Sequence, residues 1–139
     1  MVKLTHQPID VEGIRGQADL TAAGGVVTFE GRVRNQTGGR RVRFLEYEAY
    51  ESMAASELER IRDEALRRWP LRSVSIVHRL GRVEIDEPSV FIVVGAGHRA
   101  EAFEACRWVI DTLKNRAPIW KKEYFEDGEV WVESESHGT

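Results

Sequence analysis

Two stretches of helical periodicity, each halted by a proline, limit what this chain can fold into. From Tyr50 to Trp69, the apolar residues Met53, Ala54, Leu58, Ile61, Ala65 and Leu66 recur at the spacing of one helix face, and Pro70 follows. From about Arg99 to Lys114, Phe103, Cys106, Val109, Ile110 and Leu113 form a second stripe, and Pro118 forces Ala117 out of helical geometry. Both stripes need an apolar surface to cover. Runs of β-branched residues and partial alternation around them predict strands at Val2–Thr5, in GVVTFEGRVRN ending near Arg34, and at Val42–Tyr47, Ser73–Leu80, Val90–Gly95, Ile119–Phe125 and Glu129–Glu133. A weaker helix, interrupted by Gly13 and Gly16, spans about Asp10 to Leu20. NQTGGRR reads as a turn, so the strands before and after it are expected to pair as a hairpin with a long tip; Asp127-Gly128 marks another turn. Helices interleaved with hairpin-linked strands define an α+β domain whose mainly antiparallel or mixed sheet is covered by helices.

At 139 residues the chain fits one domain, 1–139, with the polar SESHGT end expected to fray at 134–139. A net charge of −3 argues against a general nucleic-acid binder. The lone Cys106 has no partner for an internal disulfide, no charged leader with an apolar run opens the chain, and no stretch approaches the ~18 apolar residues of a membrane span. A cytoplasmic location without membrane contact is the expectation.

Against that acidic background, KNRAPIWKKE stands out, with cations gathered around a proline and a tryptophan. Helical phase puts Glu104, Arg107, Asp111 and Lys114 on the polar face, opposite Phe103, Cys106 and Ile110. A solvated lysine complementing the helix dipole is the plain explanation of Lys114. The reversal at Pro118, however, brings Lys121 back toward it. Two lysines in a partly desolvated pocket each disfavour the other's charge, which suits proton transfer while still attracting anions. Strand alternation places Ile119, Lys121, Glu123 and Phe125 on one side and Trp120, Lys122 and Tyr124 on the other. Only one of the two lysines therefore faces a given pocket, and spacing alone does not say which.

Two further basic features accompany it. VVGAGHRAEAF passes from strand into helix, where free N–H groups, His98 and Arg99 make an anion site, although it is neither a P-loop nor a GxGxxG fingerprint. In FEGRVRN, Arg32 and Arg34 share one side of the strand and Phe29 the other, and arginine is the preferred bidentate phosphate ligand. His78-Arg79 reads as structural and Cys106 as core. His6, His78, His98 and His137 show no metal-ligand spacing, so no metal site is expected.

These blocks, in this order and spacing, resemble the large, catalytic subunit of molybdopterin synthase. The likeness runs from about Phe29 to Glu133 through FEGRVRN, LEYEAYESMA, VSIVHRLG, VFIVVGAGHRAEAFEA and above all LKNRAPIWKKE; IDEPSV carries Asp86 where the family usually has glycine. The resemblance implies an α/β hammerhead with an additional antiparallel β subdomain. It further implies a homodimer within a heterotetramer, each end binding a small ubiquitin-like sulfur-carrier subunit that ends in a Gly-Gly thiocarboxylate. That carrier delivers sulfur to cyclic pyranopterin monophosphate, and two deliveries form the molybdopterin dithiolene, with no cofactor or metal. Carried over by position, Lys114 and Lys121 are the catalytic lysines. Arg32, Val33, Arg34, His98, Arg99, Lys114, Lys121, Lys122 and Glu123 are the substrate contacts. Whether His98 and Arg99 act in their own subunit or across the dimer stays open.

From residues alone, the main competitor is a non-enzymatic α+β module whose basic pocket holds an anionic partner tail. A single-stranded nucleic-acid binder, with Trp120, Tyr124 and Phe125 interleaved among Lys121 and Lys122, is weaker because the chain is acidic overall.

Overall fold

A computed structural model describes residues 1–134. In chain order the elements are β1 (Val2–Thr5), α1 (Val11–Gln17), β2 (Gly25–Arg32), β3 (Gln36–Thr37), β4 (Arg40–Ala49), α2 (Glu51–Arg68), β5 (Leu71–Arg79), β6 (Gly81–Glu84), β7 (Pro88–Ala96), α3 (Arg99–Arg116), β8 (Ile119–Phe125) and β9 (Val130–Ser134). Apart from Ser134, which ends β9, the tail expected at 134–139 lies outside the described residues, as does His137. Among the described residues, no helix is long and apolar enough to cross a membrane.

The strands form two sheets. The first has the order β1-β5-β7-β2, with β1 parallel to β5 and the other pairs antiparallel. β5 and β7 are buried along most of their length, which is why Val74, Ile76, Ile92 and Val94 leave little solvent-facing alternation. The second sheet runs β3-β4-β8-β9, and β6 pairs with Phe44–Tyr47 on the edge of β4 that β8 leaves open. The larger core cluster draws on both sheets and both long helices, from Leu45 and Phe125 to Leu58, Ile92 and Leu113.

Several expectations need correction. GVVTFEGRVRN and Val42–Tyr47 do not pair as a hairpin: β2 pairs with β7, and β4 belongs to the second sheet. The link between them crosses from one sheet to the other at Val33, whose side chain is buried. The Val33 amide donates to the Glu87 carbonyl and its carbonyl accepts from Asp86. The turn segment is not featureless, because Gln36–Thr37 pairs with Arg40–Arg41 around Gly38 and Gly39, both at positive φ. The weak helix is real but shorter, with Asp10 capping the Gly13 amide. A short strand, β6, occupies part of the turn-rich span after Leu80.

The helix stripes are narrower than the periodicity implied. Met53, Leu66 and Phe103 are exposed, whereas Ala54, Leu58, Ile61 and Ala65 of α2 and Cys106, Val109, Ile110 and Leu113 of α3 are buried. At the crossing of the two helices Trp69 and Trp108 meet edge to face at 5.6 Å, and Arg68 stacks over both rings. Near the end of α3, Arg116 bonds Glu57 at 2.7 Å and Glu64 at 3.0 Å on α2. This fixes the turn that carries Lys114. Leu113→Ala should cost about 2–5 kcal/mol in chemical denaturation, whereas Leu66→Ala should stay within about 0.5 kcal/mol. Burial pushes the Cys106 thiol up to about 11. Alkylation by iodoacetamide near neutral pH should therefore be negligible until the protein unfolds.

Candidate active site

Pro118 does what the sequence foreshadowed. α3 ends at Ala117, which is extended, and β8 begins at Ile119 with its side chain fully buried. Buried Leu113 and Ile119 thus pin the two sides of the reversal, and Lys114 and Lys121 open into one cleft of about 550 Å³ where the two sheets meet. Arg32 and Arg34 enter from the end of β2, Leu45 and Tyr47 from β4, Ser89 and Val90 from β7, and Glu123 from β8. Four cations face two carboxylates, Glu30 and Glu123, so the cleft attracts anions.

The parity of β8 resolves which lysine belongs here. Tyr47 stands opposite Lys121 and Leu45 opposite Glu123 in the β4–β8 register, and all four line the cleft. Lys122 points to the other face, where its ammonium donates to Glu48 at 3.1 Å and lies 4.0 Å from Glu46. The Glu48 hydrogen bond holds Lys122 above the usual lysine range. On that same face, Trp120 Nε1 donates to Glu48 and Tyr124 Oη to Glu46. Lys122 is thus a partner of the outer face of the sheet and is not brought to the cleft.

Within the cleft, Lys121 Nζ lies 3.6 Å from Glu123 Oε1. Glu123 is only 6% exposed, and its Oε2 has no hydrogen-bond partner among the described residues. A buried acceptor left unsatisfied is costly, so this oxygen is available to a donor that enters the cleft.

Arg32 is anchored at the mouth. Its Nη2 donates to the Asp86 carbonyl at 2.6 Å and meets Asp86 Oδ1 at 2.8 Å, and its Nε lies 3.4 Å from Glu30 Oε2. Asp86 itself has φ +75°, a conformation glycine adopts most easily. In place of a glycine, the aspartate adds a carboxylate against a cleft arginine. Val33, between the two arginines, contributes backbone hydrogen bonds and a buried side chain; it borders an adjoining hollow and not the cleft itself. Phe29, expected to face away from the arginines, also lines the cleft. Beyond Gly31 the pairing with β7 slips by a residue and the chain leaves the sheet.

His98 and Arg99 are not brought to this cleft within the chain. They are exposed at the start of α3, beside Gly25, where an added Cβ would lie 3.0 Å from Arg99 Cα. Gly25 and Arg32 occupy opposite ends of β2, about 24 Å apart along the strand at the rise of an extended chain. Among the described residues, the sequence reading missed Leu45, Tyr47, Ser89 and Thr37 as parts of the cleft. For Leu45 and Tyr47 the signal was present, since they share one face of β4, but it is usable only once β4 is known to pair with β8.

Comparison with known proteins identifies the family. The family model described as MoaE protein matches residues 4–116. A molybdopterin synthase catalytic subunit of Pyrococcus abyssi is 45% identical over 138 residues, covering 98% of this chain and 93% of that protein. The crystal structure of molybdopterin synthase from Staphylococcus aureus superposes with a TM-score of 0.87 at 40% identity, covering 94% of each chain. At 23% identity and a TM-score of 0.75, the fold is also shared with a chain in the complex of subunits 1 and 2 of molybdopterin-converting factor from Helicobacter pylori; 91% of this chain and 86% of that one are covered. This chain belongs to the MoaE family, that of the molybdopterin synthase catalytic subunits.

Proposed function

We propose that this protein is the sulfur-transferring subunit of a molybdopterin synthase. In this reading it takes sulfur from the C-terminal thiocarboxylate of a small carrier protein and passes it to cyclic pyranopterin monophosphate. The observation that carries the reading is the convergence of Lys114 and Lys121, from opposite sides of Pro118, into one cleft with Arg32 and Arg34. Both reactants are anionic, one through its cyclic phosphate and the other through its thiocarboxylate. They meet only where cations offset their repulsion.

Arg34 and Arg32 receive the phosphate and pterin at the mouth. Lys114 and Lys121 orient the thiocarboxylate and move protons as each C–S bond forms. The nucleophilic sulfur arrives on the partner, which is why the cleft needs no nucleophile of its own and Cys106 can stay buried. Each C–S bond replaces a C–O bond of the precursor, the displaced oxygen taking a proton, and leaves a thioester between carrier and pterin that water hydrolyses to a carrier carboxylate and a pterin thiolate. The Helicobacter pylori complex of two converting-factor subunits supports a small-subunit partner here. In this reading the reaction runs in the cytoplasm.

A homodimer completes the site in this reading. β2 is the outer strand of its sheet, and Val26 on it is 44% exposed. Antiparallel pairing of two such edges across a twofold axis would set His98 and Arg99 of one subunit near Arg32 and Arg34 of the other. The same pairing would cover an edge otherwise open to aggregation.

With thiocarboxylated carrier and the pterin precursor, Lys114→Ala and Lys121→Ala should each lower turnover roughly a hundredfold or more. Lys122→Ala, on the outer face, should stay within a few-fold. Near-normal turnover of both cleft variants would refute the lysine roles. His98→Ala should weaken precursor binding while carrier binding, measured by calorimetry, is retained; equal loss of both would assign that histidine a structural role.

A further inference from the structure

We propose that Glu133 is a built-in counter-ion of Lys121, which the carrier's anionic tail displaces when it enters the cleft. The inference rests on the reading above, that this cleft receives a carboxylate-like tail. Glu133 lies directly opposite Lys121 in the β8–β9 register, and its Oε2 is 3.9 Å from Nζ. With Glu123 Oε1 at 3.6 Å as well, the ammonium has two carboxylates beside it. Neither is within the 3.2 Å or so of a good hydrogen bond, so Lys121 is neutralised without being locked.

The two carboxylates differ in freedom. The Glu123 side chain is 7% exposed and anchored in the core face of a central strand, so separating it from Lys121 would leave a buried, uncompensated charge. The Glu133 side chain is 44% exposed and rides on β9, the outer strand of the sheet. It can rotate into water at little cost, because an exposed pair of this kind contributes little. An arriving tail that places its terminal oxygen or sulfur at Lys121 Nζ meets repulsion from both carboxylates, and only the one from Glu133 can be relieved by rotation. Glu133 therefore lowers the cleft's hold on anions in general and reserves Lys121 for a ligand that brings further contacts of its own.

The test is calorimetric binding of a synthetic peptide with the carrier's C-terminal sequence, ending in Gly-Gly with a free carboxylate, at low salt. Glu133→Gln should bind it roughly two- to fivefold more tightly than the wild type, the scale of an exposed ion pair. That gain should fade toward ~0.5 M salt, where screening shortens the reach of charge. In a Lys121→Ala background the same substitution should give a clearly smaller gain, because only the direct repulsion between Glu133 and the tail is then left to relieve, a coupling that loss of folding or general surface charge would not produce. Unchanged or weaker binding by Glu133→Gln, or an equal gain without Lys121, would overturn the proposal. A folded wild-type protein that does not bind the peptide at all would instead overturn the carrier-tail reading, and this inference with it.

Discussion

The parity of one strand, β8, governs the rest of the site. Ile119 and Phe125 are buried at its two ends, and pairing with β4 on one edge and β9 on the other fixes its register. With those anchors set, Lys121 and Glu123 must face the cleft while Trp120, Lys122 and Tyr124 face outward. A slip of one residue would exchange the faces: Lys122 would enter the cleft and Lys121 would meet Glu48. Adjacent lysines thus acquire opposite roles from a backbone constraint, before any difference in their chemistry is considered.

Everything that holds β8 in register therefore contributes to function. The reversal at Pro118 ties the strand to the end of α3, and Arg116, bonded to Glu57 and Glu64, ties that end to α2. At the far end, Arg40 lies 4.1 Å over the Phe125 ring and 4.9 Å from Trp131 while pairing with Asp127 and Glu129, so the β8–β9 turn is clamped onto the start of β4. On the first sheet, the same logic places the arginines. β2 delivers Arg32, the buried Val33 carries the chain across to the second sheet, and Arg34 emerges at the seam. The cleft exists because the chain changes sheets there, and its charge comes from the two arginines at that change together with Lys114 of α3 and Lys121 of β8.

Local features of this arrangement were legible in the sequence, and non-local ones were not. Strands Val2–Thr5 and Ile119–Phe125 have the bounds that alternation and the neighbouring breakers imply, and both long helices lie where periodicity and proline place them. The convergence of Lys114 and Lys121 followed from helix phase and a proline reversal, which involve only residues close in sequence. Pairing is different: alternation states which residues share a face but not which strand lies beside them, so β2 was matched to β4 in place of β7. Leu45, Tyr47 and Glu133 escaped for the same reason, since each reaches Lys121 or Glu123 only across a strand pair. Phe103 and Met53 show the complementary limit. An apolar residue in helical phase is buried only if another element covers that part of the stripe, and among the described residues nothing does.

The central claim is that the carrier tail ends between Lys114 and Lys121 on the inner face of β8. A crystal structure of the protein bound to its thiocarboxylate-ending carrier tests it most directly. The account predicts that the tail threads into the cleft at the seam of the two sheets, with its terminal thiocarboxylate in hydrogen-bond reach of Lys121 Nζ and with Lys114 on the other side. A tail that ends on the outer face, beside Lys122 and Glu48, or at the exposed start of α3, would contradict it.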